Sequence, residues 1–283
     1  MDKRTSQKIA FWIFRLLGWF VVGVLLWILG FIVYNGIGVI SFEFIFSKPT
    51  GVGMLKGGIF PAIIGTFCLI IGSMIVAFPL GVMSAIYTNE YVRDGKFSKF
   101  IRMMTNNLGS IPSIVFGLFG MALFVSLWGR SIIAGAFTLG LLALPLVIRT
   151  TEEALRTVPD SLRIGSYALG ATKLQTIRRV VLPSAFPNIV TGLILSIGRV
   201  SGETAPILFT VAAYFLAELP SSIFDQAMAL PYHLYVMSTS GKNLVAGREV
   251  AYGTALVLIT IVLMINFTAS FIRRHFAKKH GGH

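Results

Sequence analysis

Six stretches of about twenty apolar residues decide what this chain can become, because ~20 such residues let a helix cross ~30 Å of hydrocarbon. They lie at residues 16–37, 59–86, 108–128, 132–148, 188–216 and 250–272. Composition agrees: 55% of residues are hydrophobic and only 12% charged, with a mean hydropathy of +0.81. A soluble chain of 283 residues needs more charged surface than that. The expected fold class is an all-α polytopic membrane protein with about six transmembrane helices. The net charge of +13 does not point to nucleic acid, since the basic residues flank the apolar stretches instead of forming one face and no recognition module is visible.

Lys3, Arg4 and Lys8 precede the first apolar run, as in a secretory signal. That run continues through Trp19, Trp27 and Tyr34 without a small-residue cleavage site, so it reads as an uncleaved helix. With the N-terminus in the cytoplasm, seventeen basic residues fall inside, Arg93 and the Lys278–Lys279 pair among them, against five outside: Lys48, Lys56, Arg130, Lys242 and Arg248. Both termini are therefore expected in the cytoplasm. The single cysteine, Cys68, lies in an apolar run, which excludes an intrachain disulfide and a cysteine metal site. The four histidines show no metal-binding spacing.

Glycine and proline interrupt several spans: Pro79, Gly109, Pro112, Pro145, Gly202 and Pro206. Such breaks survive at membrane depth where neighbouring helices or a water-filled cavity satisfy the freed backbone. In the fifth span stand two full charges, Arg199 and Glu203. A charge there costs roughly 2.5–3.5 kcal/mol on insertion scales, so it is expected to face a protein interior or a water path. A buried arginine suits an anion, because its planar guanidinium binds oxyanions bidentately and stays protonated. Arg199 is the first candidate for a translocation contact, and Arg149, at the end of the fourth span, the second. Glu203, four residues from Arg199, is placed to pair with it as a gate or orienter. The plain alternative is a permanent structural pair, with Arg149 reaching lipid headgroups. Ser110, Ser113, Ser201 and Thr204 are minor candidates, since helix hydroxyls more often bond their own backbone.

Residues 150–186 form the longest cytoplasmic segment, and its pattern is ordered. Val158-Pro159-Asp160 makes a break after which Asp160 or Ser161 can cap a short helix. Gly170 ends that helix in a left-handed conformation and Thr172 caps the next. Leu174, Ile177 and Val181 then form an apolar stripe, closed by Pro183. Two short helices joined by a glycine turn suit docking to another protein.

This segment resembles the coupling loop of the permease subunits of ABC importers. Gly170, Val180, Leu182 and Pro183 keep the spacing of that family's signature, while Ile164, Gly165 and Ser166 stand where it has E-A-A. Three further stretches, residues 107–117, 144–152 and 199–206, resemble the PstA-type permeases of phosphate importers. The resemblance covers the chain from about the second span onward. It implies an ABC importer type I permease fold in the cytoplasmic membrane of a bacterium or archaeon, with inorganic phosphate as substrate, Arg199 and Arg149 on its path, and lipid around the spans. It implies a PstC-type permease partner, a PstB-type ATPase dimer and a PstS-type phosphate-binding protein. Residues Ala168, Leu169, Gly170, Ala171, Thr172 and Lys173 would engage the ATPase. The transmembrane domain would occupy residues 59–273, preceded by a tail, helix and outer loop at 1–58 and followed by a basic tail at 274–283. No G-x-x-x-x-G-K-[ST] occurs, so the chain is expected to be non-catalytic and cofactor-free, with ATP bound by a partner. The competing readings are a permease for another oxyanion and an ion-gradient-driven secondary transporter or channel. A membrane enzyme is disfavoured, because no catalytic constellation shares a depth in the spans.

Overall fold

The computed structural model describes residues 3–50, 54–92, 95–239 and 244–280. Arg93 and Lys242, used above for orientation, and the last three residues of the tail lie outside them. Five helices are long and apolar enough to cross a membrane, and the bent pair Lys96–Ser110 and Ser113–Trp128 brings the number to six if counted as one span. The chain runs through α1 (Lys3–Gly36), α2 (Phe42–Phe46), the short strands β1 (Pro49–Thr50) and β2 (Lys56–Gly57), then α3 (Phe60–Ile86). A wide turn at Tyr87–Tyr91 follows α3. Next come α4 (Lys96–Ser110), α5 (Ser113–Gly120), α6 (Ser126–Trp128), α7 (Ile132–Arg156), α8 (Asp160–Ala168) and α9 (Lys173–Thr176). The chain closes with α10 (Leu182–Ser201), α11 (Ala205–Thr210), α12 (Leu230–Thr239) and α13 (Leu244–His280).

Three of the expected spans need correction. The third does not start at residue 108. Pro112 forces Ile111 into extended backbone (φ −72°, ψ 132°), which ends α4 and sets it at 100° to the helix running from Ser113 to Trp128. The fourth continues past residue 148, through Arg149 and Glu152 to Arg156, so α7 carries its charged end beyond the apolar stretch. The fifth does not reach residue 216: α10 stops at Ser201, and after α11 the chain folds back, bridging Ala212 to Ala227. The segment at 218–249, which sequence left unassigned, places Leu230 against α3, its amide donating to Thr66 Oγ1 over 2.9 Å.

The core sits where α3, α7 and α10 meet. Leu69, Ile70 and Met74 of α3 pack on Leu139, Ala143 and Val147 of α7 and on Val200 of α10. A second cluster at the opposite end from the 150–186 loop joins Phe44, Ile59, Met237 and Ala251, tying the segment after α1 to α12 and α13. The α1 helix itself lies at the edge against α13, with Phe31 edge-on to Tyr252 at 5.7 Å.

Close approach of α7 and α10 depends on Gly192, where a Cβ would fall on the Thr150 side chain. Gly192→Val is therefore expected to force the two helices apart. Overpacking of this kind costs about 1–3 kcal/mol. Thermal unfolding of the purified subunit should show a lowered midpoint, whereas Gly165→Val, at an exposed site with nothing within 4 Å, should leave it nearly unchanged.

A candidate translocation face and a candidate coupling surface

The fifth crossing breaks where its charges stand. Gly202 follows the last turn of α10, and the amides of Gly202 and Glu203 bond back to the carbonyls of Arg199 and Val200. Pro206 then starts α11, a position where its missing N–H costs nothing. Despite the break, the expected pair forms: Arg199 Nε lies 3.6 Å from Glu203 Oε1. The two ends differ in surroundings, the arginine side chain being 40% exposed and the glutamate 17%. Glu203 lines a small cavity with Thr66, Leu69, Leu139 and Ser201, at the α3–α7–α10 junction. Arg199 looks away from that junction, on the open side of α10 with Leu195. Its neighbour Val200 belongs to the central core, so the exposed guanidinium stands at the depth of the buried cluster.

Arg149 is exposed as well. Its guanidinium lies over Gly109, close enough that a Cβ there would come within 3.5 Å of Nη2 and 3.7 Å of Pro145 Cβ. Among the described residues it has no ion-pair partner. Because Thr150 packs on Gly192, Arg149 stands near that level, and Arg199 lies two turns, about 10 Å, further along α10. The two candidate cations thus occupy successive depths. Of the hydroxyls, Ser110 donates to Asn106 O at 3.0 Å and Ser201 to Ile197 O at 2.6 Å, both spent on their own helices. Ser113 and Thr204 are half-buried at the starts of α5 and α11.

The 150–186 loop folds as two helices about a glycine turn. Gly170 takes φ +80°, and the amides of Gly170 and Ala171 bond Tyr167 O and Ser166 O, closing α8 with a left-handed cap. Thr172 and Gln175 form a reciprocal capping box on α9. At the other end Pro159, not Asp160 or Ser161, holds the cap position of α8. The stripe is shorter than expected: Ile177 and Val181 are buried, but Leu174 is exposed. Pro183 does not close the helix either, because a wide turn at Ile177–Val181 carries α9 directly into α10. A turn of that width accommodates the proline ring that an unbroken α-helix would clash with. Ala168, Leu169, Gly170, Thr172 and Lys173 are exposed at the tip and Ala171 half-buried. Leu169 reaches 90% exposure, near Ile164 and Tyr167 on the same element. Lys173 is anchored differently, its Nζ resting 4.8 Å from the Tyr91 ring centroid.

Sequence reasoning missed two buried polar joints beneath this tip. Arg163 is held by both oxygens of Glu90, through Nη2 at 2.7 Å and Nε at 3.3 Å. Its pKa is raised above the ordinary arginine value, first by that hydrogen bond. Beside it, Glu152 of α7 accepts from Thr88 Oγ1 and from Arg102 Nε of α4 at 3.4 Å. Arg163 and Arg102 are two of the seventeen basic residues that the charge pattern places inside. The available signal was Glu90 and Glu152, two carboxylates at the ends of apolar runs. Among the described residues no group of three or more His, Cys, Asp or Glu side chains could hold a metal.

Residues 77–281 match the family described as "Binding-protein-dependent transport system inner membrane component". Among curated proteins, a Bacillus subtilis protein described as "Probable ABC transporter permease protein YqgI" is 35% identical, covering 99% of each chain. "Phosphate transport system permease protein PstA 1" of Mycobacterium tuberculosis is 42% identical over 77% of this chain and 71% of its own. The PstA protein of Pasteurella multocida is 36% identical over 90% and 89%. Among solved structures, an inward-facing form of the MetNI methionine ABC transporter aligns with a TM-score of 0.60 at 22% identity, over 77% of this chain and 94% of that one. A bacterial ABC transporter involved in the import of the acidic polysaccharide alginate aligns at 0.63 and 16% identity, over 96% and 99%. At those identities the structures speak for the fold alone. This multi-pass membrane chain therefore belongs to the family of binding-protein-dependent transport system inner membrane components, the permease subunits of ABC importers, and its sequence relatives include PstA-type permeases.

Proposed function

We propose that this chain is the PstA-type permease of an ATP-driven inorganic phosphate importer, with Arg199 and Arg149 on the anion's path. The observation that carries the reading is the exposed guanidinium of Arg199 at core depth, held by one long contact. A cation at that depth needs cover, either from a second protein chain or from a water-filled path. A second permease of similar fold, of PstC type, supplies the cover and the other wall. Phosphate leaving water then meets fixed donors, first competing with Glu203 for Arg199. Arg149, near the level of Gly192, continues the path toward the cytoplasm. Both termini and the 150–186 loop face the cytoplasm, where the loop seats on a PstB-type ATPase dimer. A PstS-type binding protein delivers phosphate at the opposite face.

The test is radiolabelled phosphate uptake in cells that supply the partner subunits, with sulfate as control. Saturable phosphate uptake that stops when the ATPase subunit is inactivated is the expected result. Uptake that instead collapses with a protonophore while ATP is maintained would replace the reading with a gradient-driven one, and sulfate uptake in place of phosphate would change the substrate.

A further inference from the structure

We infer that Arg163 is a positioning residue that joins the coupling loop to the transmembrane body, so that displacement of α8 moves α3 and α7 with it. This rests on the reading of the 150–186 loop as the element that meets the ATPase.

The guanidinium uses all five of its N–H groups. Nε and Nη2 hold Glu90, Nη2 also bonds Leu155 O at 3.0 Å, and Nη1 bonds Val158 O at 2.7 Å and Asp160 Oδ1 at 3.2 Å. Three pieces of chain meet there: the wide turn that ends α3, the carbonyl end of α7, and the first turns of α8 itself. The Arg163 and Glu90 side chains are only 7% and 5% exposed, so the joint is shielded from water and salt, unlike a surface ion pair. Lysine could not replace it, since a point ammonium cannot fork to a carboxylate and reach two carbonyls at once.

Around this centre the neighbouring contacts stiffen the same block. Thr88, on the turn that carries Glu90, bonds Glu152 of α7, which also holds Arg102. Leu155 and Val158 pack with Ala85, Val181 and Ala185. Motion at the loop tip therefore has two routes inward. One is covalent, from α8 through residues 157–159 into α7 and from α9 through its wide turn into α10 and on to Arg199. The other crosses space through Arg163 to α3 and α7. With the contact to Glu90 cut, α7 and α10 still move with the loop to which they are covalently joined, but α3 no longer follows.

The experiment uses the complete importer in proteoliposomes and compares Glu90→Gln with wild type and with Leu155→Ala. The leucine variant removes a fully buried side chain at the same place but leaves its carbonyl bonded to Arg163. Glu90→Gln is expected to keep ATP hydrolysis and raise the ATP consumed per phosphate carried by roughly five-fold or more. Leu155→Ala should lower the unfolding midpoint at least as far and leave that ratio at the wild-type value. A readout independent of substrate is the distance between spin labels at Ser161→Cys on α8 and Ile75→Cys on α3, in a Cys68→Ala background. It should stay narrow through ATP binding in wild type and broaden in Glu90→Gln. An unchanged ratio with narrow distances in Glu90→Gln, or equal ratios in the two variants, would overturn the joint. Failure of wild type to carry phosphate would instead strike the proposed substrate, and the label distances would still decide the role of Arg163.

Discussion

Arg199→Gln is expected to cut phosphate uptake by roughly ten- to hundred-fold while the subunit still assembles and unfolds at nearly the wild-type temperature. The size follows from removing a charge-assisted contact, worth about 1.5–3 kcal/mol, from the step in which phosphate gives up water. Unchanged stability follows from the geometry of the pair. At 3.6 Å the Arg199–Glu203 contact is too long for a strong hydrogen bond, and the arginine is well exposed. Such a pair contributes roughly 0–1 kcal/mol. Glu203→Gln should behave differently, since it frees the arginine without removing it; uptake then survives, with a changed apparent affinity. The double variant separates path contact from structural pair. Where the two residues only neutralise one another, removing both restores what removing one destroyed. On a path through Arg199, the double variant stays as inactive as Arg199→Gln. Recovery of uptake in the double variant would return both residues to packing.

What the sequence made legible was local. Gly170 and Thr172 end and start helices by their own backbone and side-chain chemistry, and both do so where expected. The Arg199–Glu203 contact needed only a four-residue spacing, and it survives the loss of the helix between them. What stayed hidden depends on partners far along the chain. Glu90 and Arg163 stand 73 residues apart, so a carboxylate at the end of an apolar run is visible in sequence but its partner is not. Leu174 and Ile177 share a stripe, yet only Ile177 finds a neighbour to bury it. Pro183 reads as a stop because an α-helix cannot hold it, and a wide turn removes that objection. The helix α12 was illegible because its burial comes from α3 and α13, with Leu230 tied to Thr66 164 positions away. Resemblance supplied residues 144–152 as a block, but only the fold separates their work: Arg149 lies open over Gly109, while Glu152 is buried between the wide turn after α3 and α4.

The exposed tip of the 150–186 loop, proposed above to meet the ATPase, offers the other large effect. A leucine at 90% exposure, on a loop outside the apolar spans, contributes almost nothing to the subunit's own packing. Ile164, Tyr167 and Leu174 are exposed on the same loop, and apolar side chains left open outside the spans point to a protein contact. Leu169→Asp would place a charge in that contact. Removing an anchor of this kind costs about 2 kcal/mol or more, roughly thirty-fold in affinity, and the buried carboxylate adds to it. Capture of the ATPase subunits by the tagged permease should therefore fail, and ATP-driven uptake with it, while the isolated subunit unfolds as wild type does. Gly170→Val should reach a similar end by another cause. At φ +80° a β-branched residue is strained by about 1–3 kcal/mol, and the cap that aims α9 is lost before any contact is made. The two variants are told apart by amide exchange in the permease alone, which rises around residues 165–176 for Gly170→Val and stays unchanged for Leu169→Asp. Normal ATPase capture by Leu169→Asp would move the docking surface away from the tip and leave the exposed leucine to lipid headgroups.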